Sequence, residues 1–157
     1  MIEQYDELPK WRYNETVFTE EMIGDAVGFI YLLVGREGEH YIGMKHFYSN
    51  TLPPKTKRNA DTKRRKVRKM SKWKDYCSSS RHVKNLIEAN GKGYFSREIL
   101  SLHNDLRELH YEETKQLVQR DALYLKDQNG EYVYLNGNIA LTHFRPKTKI
   151  IHTNPTS

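Results

Sequence analysis

Two tyrosines and one glutamate are the side chains in this sequence whose types and placement could support chemistry. Tyr31 and Tyr41 stand in two short strand-like segments, residues 28–31 and 41–43, and Glu113 lies much further along the chain. A phenol can give or take a proton at a reacting group, but its ordinary pKa is about 10. It therefore needs neighbouring cations or a metal ion if it is to act at neutral pH.

A β-hairpin is the element that would bring the two phenols together. Residues 29–34 are almost wholly apolar, a glycine-rich turn follows at residues 35–38, and the apolar pattern resumes at residues 40–42. Two such runs joined by a short glycine-containing turn are typical of a hairpin. If Tyr31 and Tyr41 face the same side, their phenols lie close together on one surface. The alternative is that both rings simply pack, because tyrosine is a common strand residue.

Glu113 falls within the apolar stripe of a predicted helix. The stripe has spacings of three and four residues and consists of Leu106, Leu109, Glu113, Leu117 and Arg120. The neighbouring Glu112 points instead to the side that carries Glu108, Lys115 and Gln116. A carboxylate on a buried face is costly unless it is paired or holds a metal ion. The pattern therefore indicates either a metal ligand or a structural ion pair, with Arg120 or Arg97 as the partner.

The elements between the hairpin and Glu113 follow in a simple order. The serines at 78–80 supply a helix N-cap, apolar residues recur at helical spacing after them, and Asn90-Gly91 predicts the end of that helix. We expect a strand over residues 94–102 and a second helix that begins between residues 105 and 110 and runs to about residue 125. The order hairpin, helix, strand, helix predicts a small α+β layer with antiparallel strands.

The chain is long enough for one domain with a real core. It has 157 residues, but its 37% hydrophobic content and its mean hydropathy of −0.86 are low, so part of the chain is expected to be an arm or a tail. We expect an irregular or partly helical N-terminal extension over residues 1–26 and one domain over residues 27–140. A polar C-terminal tail would cover residues 141–157. A basic insertion, residues 48–72, interrupts the domain as a long connection, which is usually functional or disordered when it occurs.

Charge is distributed very unevenly along the chain. The net charge is +6, yet residues 55–74 hold eleven Lys or Arg residues against one acid, Asp61. Residues 1–25 hold seven acids against Lys10 and Arg12. A basic segment on an otherwise acidic protein is typical of a phosphate-binding device. The alternative is a basic loop that binds no partner.

Several protein classes are excluded by composition. No stretch is long and apolar enough to predict a membrane span, and the acidic N-terminus lacks a secretory signal pattern. The single Cys77 can form no internal disulfide and cannot build a zinc site by itself. A reducing, cytoplasmic setting is therefore expected.

The two tyrosine segments resemble the motifs that give the GIY-YIG nuclease family its name. The first reads Phe29-Ile30-Tyr31, with its glycine one place early at Gly28. Further fragments, in the same order, are similar to a phage-type branch of that family: Tyr41-Ile42-Gly43-Met44-Lys45, Trp73-Lys74-Asp75-Tyr76, Ser79-Ser80 and Phe95-Ser96-Arg97-Glu98-Ile99-Leu100. The resemblance covers about residues 28–138. It implies a small three-stranded antiparallel sheet flanked by helices.

The resemblance also implies a mechanism for phosphodiester hydrolysis. In this family a tyrosine activates water or relays its proton, one divalent cation polarises the scissile phosphate, and a cationic side chain steadies the developing charge. Tyr31 matches the first tyrosine and is expected to activate the water, with Tyr41 beside it. Glu113 matches the glutamate that holds the cation, which would be Mg²⁺ or Mn²⁺.

The cationic position is where this sequence departs from the family. Members usually carry an arginine soon after the second motif, with a histidine or tyrosine shortly beyond, and here that stretch reads Thr51-Leu52-Pro53. Lys45 is the first substitute, followed by Lys74 and Arg81, although plain surface charge also explains both lysines. Tyr76 is expected to occupy the accessory position, with His82 and His46 as further candidates. Asn136 or Asn138 matches a late asparagine that supports the family's site, or else forms a turn.

Together these features predict a metal-dependent DNA endonuclease encoded by a phage or mobile element, acting on double-stranded DNA as a monomer or homodimer. It would work in the cytoplasm of the host cell. Its catalytic residues would be Tyr31, Tyr41, Lys45, Tyr76 and Glu113. The cations expected to contact DNA phosphates are Lys55, Lys57, Arg58, Lys63, Arg64, Arg65, Lys66, Arg68, Lys69 and Lys74. The alternatives are a DNA-binding module with a degenerate nuclease core, used in repression or packaging, and an RNA-binding or RNA-cleaving protein.

Overall fold

The computed structural model describes residues 6–52, 55–58, 63 and 65–139. Its helices and strands, in chain order, are β1 (Arg12–Tyr13), β2 (Thr16–Val17), β3 (Gly28–Gly35), β4 (His40–His46), β5 (Tyr48–Thr51), β6 (Val67–Met70), α1 (Arg81–Asn90), β7 (Phe95–His103) and α2 (Leu106–Gln119). Single 3₁₀ turns lie at Glu20–Met22 and Trp73–Asp75. The expected tail, residues 141–157, lies outside the described residues, and the boundaries proposed for the domain and its extension stay predictions.

The main sheet has five strands in the order β2-β1-β7-β3-β4 and is mixed, not a three-stranded antiparallel sheet. The α+β class is as expected, but the extra strands come from the N-terminal segment. There β1 and β2 form a small hairpin, and β1 pairs in parallel with β7, placing Arg12 opposite Glu98. Strands of two residues are too short to give an alternating pattern, so the sequence carries no signal for them.

The predicted hairpin is formed by β3 and β4. The two strands are antiparallel, with Tyr31 opposite Gly43 and Leu33 opposite Tyr41. Side chains alternate between the faces of a strand, so residues 29, 31 and 33 of β3 and residues 41, 43 and 45 of β4 share one face. Gly38 has a φ of +90° in the connecting turn, a conformation that favours glycine. The hairpin therefore places both tyrosines on the same side of the sheet.

The core lies on both faces of β3, which explains its almost unbroken apolar sequence. On the tyrosine face, Tyr31 packs in one buried cluster with Trp11 and Trp73. On the opposite face, a second cluster joins β3 and β4 to α2 through Ile42 and Leu117. The sheet thus lies between α2 on one face and the buried aromatic cluster of Trp11, Tyr31 and Trp73 on the other.

Helix α1 begins and ends where the sequence predicts. The Ser80 side chain accepts a hydrogen bond from the Val83 backbone N–H at 3.4 Å, and Gly91 follows the last turn with a φ of +106°. Strand β7 also matches its prediction to within a residue or two.

Helix α2 ends at Gln119, earlier than the predicted end near residue 125. Asp121 adopts a left-handed φ of +51°, and the N–H of Ala122 donates to the Leu117 carbonyl. The Asp121 N–H donates to the Val118 carbonyl, which completes a Schellman cap. Glycine is the usual residue in this left-handed position, and Asp121 is a weaker signal for a helix end. The sequence therefore does not predict that α2 ends at Gln119.

The basic insertion contains regular structure, contrary to the loop expected over residues 48–72. Strands β5 and β6 pair with each other in a separate two-stranded antiparallel sheet, which we call the basic ribbon. Tyr48 and Met70 pair at its base and pack against the tyrosine-face core. The ribbon is therefore anchored beside the hairpin.

Within the described parts of the chain, no helix is long and apolar enough to cross a bilayer.

Candidate active site

Four of the five predicted catalytic side chains meet on the tyrosine face of the hairpin. The rings of Tyr31 and Tyr41 have centroids 6.2 Å apart, and the Tyr76 ring lies 6.0 Å from that of Tyr31 in an edge-on arrangement. The Lys45 ammonium lies 4.3 Å from the centroid of the Tyr76 ring. Residues from β4 and from the turn before α1 are thus brought together by the sheet.

Tyr31 is buried against its cross-strand partner Gly43. Only 1% of the Tyr31 side chain is exposed, and a Cβ atom added at Gly43 would overlap its hydroxyl group. Glycine is therefore required opposite this ring, which gives the second motif's glycine a physical reason. Burial raises the pKa of the Tyr31 phenol well above its ordinary value, and the neighbouring Tyr76 and Tyr41 add to the shift. The phenol of Tyr31 is therefore neutral at physiological pH.

Tyr41 is half-buried and lines a cleft of about 400 Å³ together with Glu113. Burial raises the pKa of Tyr41, the charge of Glu113 raises it further, and a hydrogen bond with Ser78 opposes the shift. Glu113 reaches this cleft from α2, where its helical neighbours Leu109 and Leu117 are both buried. The structure therefore unites Tyr41 and Glu113, which are 72 positions apart in the chain.

The predicted orientation of Glu112 is confirmed. Its carboxylate accepts a hydrogen bond from the Gln116 side chain at 3.0 Å and lies 3.9 Å from the Lys115 ammonium. Both arginines considered as ion-pair partners for Glu113 make hydrogen bonds to other groups. Arg120 donates to the Gln116 amide oxygen at 3.0 Å and to the Tyr134 hydroxyl at 3.2 Å.

Arg97 positions the segment that carries Tyr76. Arg97 is 4% exposed, and its guanidinium donates to the backbone carbonyls of Lys74 at 2.8 Å and Tyr76 at 2.9 Å. It also donates to the Pro9 carbonyl at 2.6 Å and lies 4.5 Å from the centroid of the Trp11 ring. A buried guanidinium needs such partners. The sequence pattern could not show whether Arg97 would bond to backbone carbonyls or form the ion pair with Glu113 that was also considered.

Asn136 holds the exposed edge of the hairpin. Strand β4 is an edge strand, and the Asn136 side chain accepts from the Ile42 N–H at 3.0 Å and donates to the Ile42 carbonyl at 2.7 Å. These two bonds substitute for a neighbouring strand directly between Tyr41 and Gly43. Asn136 is therefore the asparagine that holds the hairpin edge, and both Asn136 and Asn138 line the cleft.

Ser78 is a site residue that sequence reasoning missed, because the serine run was fully explained by helix capping. Ser78 is 5% exposed, its hydroxyl accepts a hydrogen bond from the Ser80 backbone N–H at 2.9 Å, and its proximity lowers the pKa of both Tyr31 and Tyr41, against the larger effect of burial. Ser80 alone provides the side-chain cap of α1. A helix cap requires one serine, so the presence of three in a row was the sequence signal that another of them had a different role.

The remaining candidates fall in different places. Lys74 is exposed and forms an ion pair with Glu20 at 3.3 Å, so it lies apart from the tyrosine cluster. His82 lines the cleft beside Glu113. The His46 ring lies 5.7 Å from that of His110, and burial, followed by the charges of His110 and Lys45, lowers the pKa of His46.

The predicted phosphate-binding cations are all exposed, except Arg64, which lies outside the described residues. Several belong to the basic ribbon or to the segment that joins its strands. The ribbon's Tyr48, Asn50 and Arg68 line a concave surface of about 640 Å³ that also includes Lys45 and Tyr76. The basic ribbon and the tyrosine cluster therefore share one continuous surface.

The donor set around Glu113 suits a hard divalent cation that is shared with a substrate. Among the residues that the structure describes, no group of three or more His, Cys, Asp or Glu side chains could hold a metal by itself. Mg²⁺ commonly binds through one or two carboxylates, several waters and substrate phosphates. One carboxylate with neutral oxygen donors from Ser79 and Asn138 on the cleft wall fits that description.

The fold and the site define the class of protein. A hairpin that pairs two tyrosines, beside a helix that presents a glutamate, is the arrangement implied by the GIY-YIG resemblance. A family model described as "Putative endonuclease segE, GIY-YIG domain" matches residues 11–139. The chain therefore belongs to the GIY-YIG endonuclease-domain family, in its SegE branch. Searches among curated proteins and among solved structures found no match.

Proposed function

We propose that this protein is a divalent-metal-dependent DNA endonuclease that hydrolyses phosphodiester bonds at the cleft between Tyr41 and Glu113. The single observation that carries the proposal is that Tyr41 and Glu113 line the same cleft. The Tyr76 ring neighbours that of Tyr31, which in turn neighbours that of Tyr41, and Lys45 and Tyr76 line the surface shared with the basic ribbon. A proton-handling group, a metal ligand and a cation are the parts that hydrolysis of a phosphodiester needs.

Tyr41 takes the contact with the attacking water in this proposal, and Tyr31 takes a supporting role. This assignment differs from the sequence-based expectation because Tyr41 lines the cleft, whereas Tyr31 is buried beneath it. Both phenols have raised pKa values and stay protonated at neutral pH. A neutral phenol relays a proton: its oxygen accepts one from water while its own proton moves to a phosphate oxygen of the substrate.

Lys45 supplies positive charge for the phosphate in place of the family's arginine. It is half-buried, and its ammonium is held over the Tyr76 ring. A cation held in place beside the reacting group stabilises charge that develops in the transition state. Tyr76 is itself fixed through its backbone carbonyl by Arg97. Glu113, with Ser79 and Asn138 on the same cleft wall, would hold Mg²⁺ or Mn²⁺, and the ion would supply positive charge to polarise the scissile phosphate.

Double-stranded DNA is the substrate that the charge distribution supports. The exposed lysines of residues 55–74 provide positive charge for duplex phosphates, contacts that position DNA without reading its bases. Phage or mobile-element origin, and action in the cytoplasm of a host cell, are part of this proposal. The cleavage products will show whether one copy or two acts on a duplex.

The decisive experiment compares two adjacent carboxylates on α2. Supercoiled plasmid is incubated with the wild type, Glu113→Gln and Glu112→Gln, in Mg²⁺, in Mn²⁺ and in a chelator. We expect Glu113→Gln to lose metal-dependent cleavage while keeping its melting temperature and DNA affinity, and Glu112→Gln to cleave normally. Cleavage by Glu113→Gln at the wild-type rate would refute the site. Tight DNA binding by a wild type that never cleaves would favour the degenerate DNA-binding module.

A further inference from the structure

The two faces of the basic ribbon differ in chemistry. In the register of β5 and β6, Asn50 stands opposite Arg68, and Ser49 stands opposite Lys69. Because side chains alternate along a strand, Asn50 and Arg68 share one face, and Ser49 and Lys69 share the other. The first face carries an amide and a guanidinium side by side. The second carries a hydroxyl and an ammonium.

The face with Asn50 and Arg68 belongs to the surface that leads to the proposed active site. Both residues line the concave surface that includes Lys45 and Tyr76; Ser49 of the other face also borders it, whereas Lys69 does not. The Arg68 guanidinium is stacked 3.7 Å from the centroid of the Tyr48 ring. Stacking fixes the plane of the guanidinium and leaves its N–H groups at the edge. Arg68 forms no ion pair with a carboxylate among the described residues.

Arginine and asparagine are the side chains that recognise purine edges by paired hydrogen bonds. Arginine binds O6 and N7 of guanine, asparagine binds N6 and N7 of adenine, and a two-stranded β-ribbon fits the major groove of B-DNA. The planar fork of an arginine forms two parallel hydrogen bonds to a phosphate as well as to guanine, and a lysine lacks that fork. Asparagine adds no charge for a phosphate, so an ordered, stacked arginine beside an asparagine is a pair that can read base edges.

We propose that the basic ribbon enters the major groove of duplex DNA, where Asn50 and Arg68 read base edges next to the cleaved bond. Lys69 and the other exposed cations of the ribbon contact phosphates. This inference rests on the proposed function for its substrate, and it assigns sequence preference to two residues of the insertion. The site preference of the enzyme would then originate outside the hairpin that performs the chemistry.

The test separates base reading from phosphate binding by using neighbouring residues on opposite faces. The full-length protein selects from a library of randomised DNA duplexes in a chelator, so that binding is measured without cleavage, and the bound fraction is sequenced. The variants are Arg68→Lys, Asn50→Ala and the control Lys69→Ala. Melting temperatures verify that each variant is folded, and the salt dependence of affinity is measured for each.

We expect Arg68→Lys to lose the preference for one base pair by about tenfold or more, with no change in the salt slope. Asn50→Ala should lose the preference at a nearby position. Lys69→Ala should keep every base preference, weaken binding to all sequences alike, and reduce the log–log salt slope by about 0.9. Unchanged base preferences in Arg68→Lys and Asn50→Ala, or no base preference in the wild type, would overturn the inference.

The outcomes also separate this inference from the proposed function. A wild type that prefers certain sequences through Arg68 but never cleaves DNA would refute the nuclease and leave the reading surface in place. A wild type that cleaves without base preference would refute the reading surface alone. A wild type that does not bind duplex DNA refutes both.

Discussion

The β3–β4 hairpin and the basic ribbon are both antiparallel strand pairs, but their surroundings are opposite. Strand β3 is buried on both faces and pairs with β7 as well as β4, whereas the ribbon's described side chains beyond its base are exposed. A two-stranded ribbon alone is marginally stable. Packing on both faces therefore fixes the positions of the β3–β4 side chains, whereas the ribbon's cations stand on an exposed arm, where the proposed function needs them to contact DNA phosphates.

Removing a hydroxyl group from the packed hairpin should give the largest effect. Tyr41→Phe keeps the ring but deletes the group that faces the cleft, so single-turnover cleavage should fall about a hundredfold, the usual scale for lost acid–base catalysis. Tyr31→Phe should cause a smaller loss, because Tyr31 is buried and does not line the cleft. A larger loss in Tyr31→Phe than in Tyr41→Phe would return the water-activating role to Tyr31. Melting temperatures separate lost chemistry from lost packing.

Filling the space opposite Tyr31 should disturb the hairpin through sterics. In Gly43→Ala the new methyl group overlaps the Tyr31 ring, so the free energy of unfolding should fall by about 1–3 kcal/mol, as for other overpacked cores. Gly137→Ala is the matched control, because an added Cβ there meets nothing within 4 Å. Urea denaturation measures both. Equal stability of the two variants would contradict the close packing of Tyr31 on Gly43.

Removing charge from the ribbon should alter affinity and leave stability nearly unchanged. If most of Lys63, Arg65, Lys66 and Lys69 contact phosphates, changing all four to alanine should make the log–log salt slope shallower by about two to four units. The control changes Lys84 and Lys92 to alanine. These exposed cations lie in α1 and in the turn after it, and this variant should keep the wild-type slope. A constant slope in the ribbon variant would place the phosphate contacts elsewhere.

The smallest effect should be a pH dependence of stability at the junction of the two regions. Burial beside His110 and Lys45 lowers the pKa of His46 below its ordinary 6.5 in the folded protein. Between that lowered pKa and 6.5 the unfolded chain binds more protons. This contribution to stability is therefore complete above 6.5 and is lost as the pH falls towards the folded pKa. In urea denaturation, His46→Gln should lose less stability than the wild type on acidification, and identical profiles would contradict the shift.

Local patterns predicted the elements and much of the site. The β3–β4 hairpin, the capped helix α1, strand β7 and the inward face of α2 all follow from periodicity, turn residues and caps, which act over a few residues. That range is also sufficient to place Tyr31 and Tyr41 on one face and to separate Glu113 from Glu112. The sequence further indicated that a dense basic segment interrupts the domain.

Tertiary structure decided what depends on distant partners. The pairing of β1 with β7, the hydrogen bonds of Arg97 to Pro9 and of Asn136 to Ile42, and the burial of Tyr31 but not Tyr41 all join segments far apart in the chain. No local pattern encodes such contacts, because they form only when separate elements pack and each buried polar group must find a partner. The sequence by itself therefore determined which groups could do chemistry, and packing decided which of them reach the cleft.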